Sequence, residues 1–150
     1  MAKIKLTRDF REFISILNSN DVEYLLVGGY ALANYGYVRY TADMDIWVSP
    51  TPDNSERVSA SLQSFGFSAD SVPPEKFQDE KTIFRMGVPP VRIDLLTSVS
   101  GLEFPPSYAK KETADSSGIE VNVIALDDLK ANKKASGRPK DLGDLDYFSG

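Results

Sequence analysis

Residues 22–48 read VEYLLVGGYALANYGYVRYTADMDIWV, and the fold turns on how this stretch is parsed. It divides into a strand, a Gly-Gly turn, a short helix, a connection and a second strand. Val22–Val27 is an almost continuous apolar run of strand length, the pattern of a central strand covered on both faces. Tyr30–Tyr35, with Ala31, Leu32 and Ala33, favours a helix. Asp43 and Asp45 stand two apart where the second strand begins, so their side chains share one face, while Met44, Ile46 and Val48 take the other, toward a core. Two carboxylates side by side repel each other unless a proton or cation joins them. A hard divalent cation, Mg²⁺ first, suits such a pair. Gly28 and Gly29 precede the helix, whose N-terminus presents unpaired N–H groups and the positive end of the dipole. Glycines there let a phosphate approach the backbone. A phosphate site beside a metal site points to a metal-bound nucleoside triphosphate.

The composition narrows the chemistry. A chain of 150 residues with 41% hydrophobic and 26% charged content is expected to form one domain with a real core. It has no cysteine and no histidine. That removes disulfides, thiolate and imidazole metal ligands, Cys nucleophiles and His-dependent triads, and leaves Asp, Glu, Lys and Tyr for acid–base or metal work. The absence of cysteine suits a reducing cytoplasm, and a cytoplasmic location is the expectation. No apolar run has the length of a membrane span, and MAKIKLTRDF lacks the apolar core of a signal peptide. The net charge of −5 argues against coating nucleic acid by charge alone, yet residues 130–140, KANKKASGRPK, carry five basic side chains and no acidic one.

Outward from the opening stretch, residues 7–18 have Thr7 as an N-cap and Phe10, Phe13, Ile14 and Leu17 at helical spacing. Asp53–Phe65 reads as a second amphipathic helix with Val58, Leu62 and Phe65 inward, Ser61 at the edge of the stripe, and Gly66 as its stop. Residues 68–80 are expected to be a loop with a short helix near Glu75–Phe77. Thr82–Met86 and Val91–Leu96 read as a β-hairpin. Asp94, inside VRIDLL, needs a partner if buried. It either pairs with Arg92, two residues away on the same face, or sits beside Asp43 and Asp45. Residues 97–118 read as loop, with acceptor contacts expected among Phe104, Tyr108, Lys110 and Lys111. Ile119–Ala125 alternates as a strand. Asp127 or Asp128 opens a helix carrying Leu129, Asn132 and Lys133 that ends at Gly137, and Pro139 begins a last one with Leu142, Leu145 and Phe148 inward.

Gly28-Gly29 followed by Arg39-x-Thr41-x-Asp43-x-Asp45-Ile46 resembles the signature of the nucleotidyltransferase superfamily that includes DNA polymerase β. The Arg-x-Thr step is similar to that of the abortive-infection toxin branch, and Lys133…Gly137-Arg138-x-Lys140-Asp141…Asp144 resembles the C-terminal motif of the same branch. The resemblance covers roughly residues 22–148. It implies an α/β (α+β) nucleotidyltransferase fold, a small mixed β-sheet flanked by helices with a C-terminal helical hairpin, in a single domain over residues 1–150.

The resemblance also implies an activity: transfer of a nucleoside monophosphate from a nucleoside triphosphate to an acceptor hydroxyl. It implies two Mg²⁺ ions held by Asp43, Asp45 and the later-strand acid Asp94, with Lys133 completing the catalytic set. The nucleotide would be bound by Gly28, Gly29, Arg39, Thr41, Lys133, Arg138 and Lys140. The acceptor implied is tRNA, protein or a small molecule, with an antitoxin as a protein partner and no membrane. Two other readings stand beside it: an aminoglycoside-type small-molecule nucleotidyltransferase, and a non-catalytic nucleotide-binding or interaction module. The basic 130–140 segment argues for an anionic acceptor, and three adjacent like charges argue against a retired site.

Overall fold

The computed structural model describes residues 2–38, 43–88 and 90–149. In chain order the elements are β1 (Ala2–Lys3), α1 (Arg8–Ser19), β2 (Tyr24–Val27), α2 (Gly28–Asn34), β3 (Asp43–Val48), α3 (Pro52–Phe65), β4 (Ile83–Met86), β5 (Arg92–Leu96), α4 (Phe104–Ala109), β6 (Glu112–Ser116), β7 (Ile119–Val123), α5 (Leu126–Ser136) and α6 (Pro139–Ser149). The strands form one mixed sheet in the order β1-β6-β7-β2-β3-β5-β4. β2 is central and buried along its length. It runs antiparallel to β3, with Val27 opposite Asp45, and parallel to β7. β3 in turn runs parallel to β5, with Asp43 opposite Arg92 and Asp45 opposite Asp94.

The helices cover the sheet as their apolar spacing dictates. Thr7 caps α1, its hydroxyl accepting from the Phe10 N–H, and Phe10, Phe13, Ile14 and Leu17 are all fully buried. Phe13 meets Phe65 of α3 edge-to-face, ring centroids 5.0 Å apart, so the two amphipathic helices pack together. Ser61 is fully buried and donates to the Arg57 carbonyl. On β3, Met44, Ile46 and Val48 are fully buried, as the alternation requires. Trp47, on the same face as Asp45, is buried too and meets Phe104 of α4 edge-on. Residues 68–80 hold two short 3-10 turns, Ala69–Ser71 and Pro74–Phe77, anchored by buried Phe77.

Residues 97–118 depart from the expected loop. Pro105 and Pro106 fall in the first turn of α4, where a missing N–H leaves no bond unmade. β6 was hidden because only Ala114 and Ser116 of ETADS face inward. It pairs with β7 through Ser117-Gly118, both at positive φ (51° and 89°), a two-residue hairpin turn. The last helix departs as well. Leu142 is 46% exposed, whereas Asp141 and Asp144 are buried, with Phe148 packed at the margin of the core. Among the described residues, no helix is long and apolar enough to cross a membrane.

Candidate active site

The register of three neighbouring strands builds the floor of the site. Pairing of Val27 with Asp45, Asp45 with Asp94, and Asp94 with Arg85 puts these four side chains in one row across the sheet. Asp43 and Arg92 make the next row. These residues, with Gly28 and Gly29, line one side of a cavity of about 630 Å³. Lys133, Arg138, Lys140 and Asp141, from α5, the Gly137 turn and the start of α6, line the other. The turn forms because Gly137 ends α5 in the left-handed conformation (φ 66°) and Pro139 opens the next helix.

Asp94 meets neighbours named in both sequence readings. It lies beside Asp45 and it pairs with Arg92. The Arg92 Nη2 stands 2.7 Å from Asp43 Oδ2 and 3.3 Å from Asp94 Oδ2. Arg85 Nε approaches the same Asp94 oxygen at 3.5 Å. Asp45 lies within this cluster. Burial pushes its carboxyl up to about 6, and the neighbouring charges of Asp94 and Asp43 add to the rise, with Lys140 and Arg92 pulling the other way.

Gly28 is fixed by this packing. Its φ is +68°, and a Cβ there would press directly on Asp45 Oδ2. Gly28→Ala therefore forces Asp45 out of its row as well as straining the backbone. The expected result is a loss of about 1–3 kcal/mol in chemical denaturation, together with loss of whatever the carboxylate row binds. Unchanged stability would show that the chain has room there after all. Gly29 is buried at the first turn of the same helix.

Lys133, expected in the catalytic set and on the triphosphate, lies near the C-terminal end of α5. The residue does line the cavity, but it is only 6% exposed, and its ammonium is held 3.2 Å from Asp141 Oδ1 and 3.1 Å from Asp144 Oδ2. Asp141 also accepts from Ser136 Oγ at 2.6 Å and from Arg138 Nε at 2.7 Å. Lys133 thus bridges the two helices of the hairpin. The cations more open to the cavity are Arg138 and Arg85, whose side chains are largely exposed, and Lys140.

The acceptor residues expected on residues 104–111 do not reach the cavity. Phe104 packs on Trp47, Tyr108 lines a separate groove with Glu23 and Arg57, Lys110 pairs with Asp128 at 2.8 Å, and Lys111 lies over the Tyr108 ring. Arg39 and Thr41 lie outside the described residues. Sequence reading missed Arg85 and Ser136, and it saw Arg92 only as a partner of Asp94. The Asp43 contact depends on a parallel register that no local pattern reveals.

Asp43, Asp45 and Asp94 offer only carboxylate oxygens, the donor set of a hard cation. Asp94 Oδ1 is buried with no hydrogen-bond partner, so acceptor capacity remains in the row. Yet among the described residues no three acids stand as a ready metal cluster. The donor chemistry fits a divalent cation, on the condition that Arg92 yields.

No protein-family model matches the chain, and no curated protein matches it. Among solved structures it is similar to a protein of Thermotoga maritima described as a "putative nucleotidyltransferase". The TM-score is 0.63 at 16% sequence identity, covering 97% of this chain and 96% of that one. The two share a fold over nearly their whole length, and the mixed sheet with flanking helices and a C-terminal helical hairpin is the architecture expected of a nucleotidyltransferase fold.

Proposed function

We propose that the chain is a metal-dependent nucleotidyltransferase that moves a nucleoside monophosphate from a nucleoside triphosphate to an acceptor hydroxyl. The observation that carries this reading is the row of Asp45 and Asp94, with Asp43 beside it, facing Arg138 and Lys140 across one cavity next to Gly28. The fold shared with the Thermotoga protein supports it.

In the transfer, a bond forms between the acceptor oxygen and the α-phosphorus, the bridge to the β-phosphate breaks, and pyrophosphate leaves. Asp43, Asp45 and Asp94 would hold Mg²⁺, which supplies charge neutralisation and lowers the pKa of the acceptor hydroxyl. Arg138 and Lys140 meet the negative charge that collects on the departing pyrophosphate. Gly28 and Gly29 present backbone rather than side chain to the phosphates. Asp94, on the strand next to β4 at the sheet edge, would help take the hydroxyl proton. Lys133 keeps Asp141 and the Gly137 turn in place, so that Arg138 and Lys140 face the carboxylates.

The test is a transfer assay with Mg²⁺ and each α-phosphate-labelled nucleoside triphosphate, offered pooled tRNA, cell protein and aminoglycosides in separate arms. Label should pass to one arm and vanish with Asp43→Ala/Asp45→Ala. The labelled arm names the acceptor class, and tRNA or protein is the class in which a toxin partnered by an antitoxin would act. Label equally present with the double substitution would remove the carboxylates from the mechanism.

A further inference from the structure

We infer that Arg92 is an internal counter-ion that competes with a divalent cation for Asp43 and Asp94, and so sets how tightly that cation binds. This rests on the proposed function only in that the carboxylates accept a cation; it needs no turnover.

One nitrogen, Nη2, serves both acids, 2.7 Å from Asp43 and 3.3 Å from Asp94. The parallel register of β3 and β5 enforces this, because it sets Arg92 directly beside Asp43 while Asp94 follows two residues later on the same face. The oxygens that Arg92 engages are the ones a hard cation would need. A guanidinium and a divalent ion on the same two carboxylates repel each other, so one excludes the other.

Two features make the guanidinium displaceable rather than locked. Its Nε is buried without a hydrogen-bond partner, so the five-donor fork is poorly satisfied. Asp94 Oδ1 is likewise buried without a partner in a residue only 4% exposed, and Asp94 lines the cavity. The Asp94 carboxylate therefore keeps one oxygen in want of a positive partner, which Arg92, engaged with the other oxygen, does not supply. Arg92 is itself partly open, its side chain 28% exposed, and it lines the same cavity into which it can swing.

The experiment titrates Mn²⁺ alone, by calorimetry at low ionic strength, into the wild-type chain, Arg92→Met and Arg92→Lys. Met keeps an unbranched stem of the kind arginine packs, without the charged group. Its Kd for Mn²⁺ should be about tenfold tighter or more, because a repelling charge has left the site. Lys keeps the charge but on a shorter, more flexible and more strongly hydrated ammonium, held less firmly against the two acids, so its Kd should fall between the other two. Without Mn²⁺, Arg92→Met should melt lower by about 5 °C, since two acids lose their counter-ion. Saturating Mn²⁺ should close that gap.

An affinity for Mn²⁺ in folded Arg92→Met that is equal to or weaker than wild type would overturn the competition, and would make Arg92 an organiser of the acids instead. If Arg92→Met does not fold, Arg92→Lys decides in the same way. Mg²⁺-dependent nucleotidyl transfer with Mn²⁺ affinity unmoved in the variants would defeat this inference alone. No Mn²⁺ bound by any form would overturn it together with the metal-dependent part of the proposed function.

Discussion

Asp45→Asn is expected to abolish nucleotidyl transfer while making the fold more stable at neutral pH. The substitution keeps size and shape beside Gly28 and removes only the charge. Asp45 titrates at about 6 in the folded chain, against 3.8 for an ordinary aspartate, because of burial first and the charges of Asp94 and Asp43 next. Over that interval the folded chain binds a proton that the unfolded chain has released. The contribution to stability is thus complete below pH 3.8 and is lost as pH rises through about 6. At pH 8 the ionised carboxylate costs the fold on the order of 2–3 kcal/mol. Asparagine carries no such cost, so the variant should melt about 5 °C or more above wild type at pH 8 and level with it at pH 4. Transfer should fall by a factor on the order of 10³, the scale seen when a group that stabilises transition-state charge is removed. Thermal unfolding across pH 4–8 and the labelled-nucleotide assay measure the two effects separately. An Asp45→Asn chain that is less stable at pH 8 would make the carboxylate a structural group and overturn its place in the reaction.

Much of this architecture was legible because single residues report on local geometry. Asp43 and Asp45 two apart fix one strand face, Gly28 marks a backbone that tolerates no side chain, and Thr7 and Gly137 mark helix ends. What stayed hidden depends on partners distant in sequence. The Arg92–Asp43 contact joins residues 49 positions apart and exists only because β3 and β5 run parallel in a particular register. β6 has almost no apolar pattern of its own, since its inward positions hold Ala114 and Ser116. Its one local signal is the turn pair Ser117-Gly118. α6 misled in a different way. Helical spacing chose Leu142, Leu145 and Phe148 as the inner stripe; Phe148 does pack against the core and Leu145 is half-buried, but Leu142 is exposed, and two carboxylates go inside to meet Lys133 of the facing helix. Hydrophobic periodicity assumes an apolar neighbour, and fails where the neighbour is a buried cation.

That buried cation carries the largest expected effect on stability. Lys133→Met should lower the unfolding free energy by about 3–5 kcal/mol, the scale for breaking one side of a buried ion pair. Asp141 and Asp144 are 1% and 3% exposed, and without the ammonium two buried carboxylates would lose the positive charge that bridges them. Burial raises the Asp141 carboxyl, but hydrogen bonds from Arg138, Ser136 and Lys133 outweigh it and hold the group at about 2. A carboxyl held low stabilises the fold above its unfolded value of 3.8, and that contribution is lost as pH falls toward about 2, opposite in sign to Asp45. Urea denaturation of the wild type, Lys133→Met and Lys133→Met/Asp144→Asn at pH 7 tests the argument. The double substitution should recover most of the loss, because the stranded charge leaves with its partner. A lysine that acts only on the nucleotide would leave urea denaturation unmoved in the absence of nucleotide, and that result would return Lys133 to the triphosphate. The expected outcome instead makes it the strut of the helical hairpin, with Arg138 and Lys140 carried into position by the acids it holds.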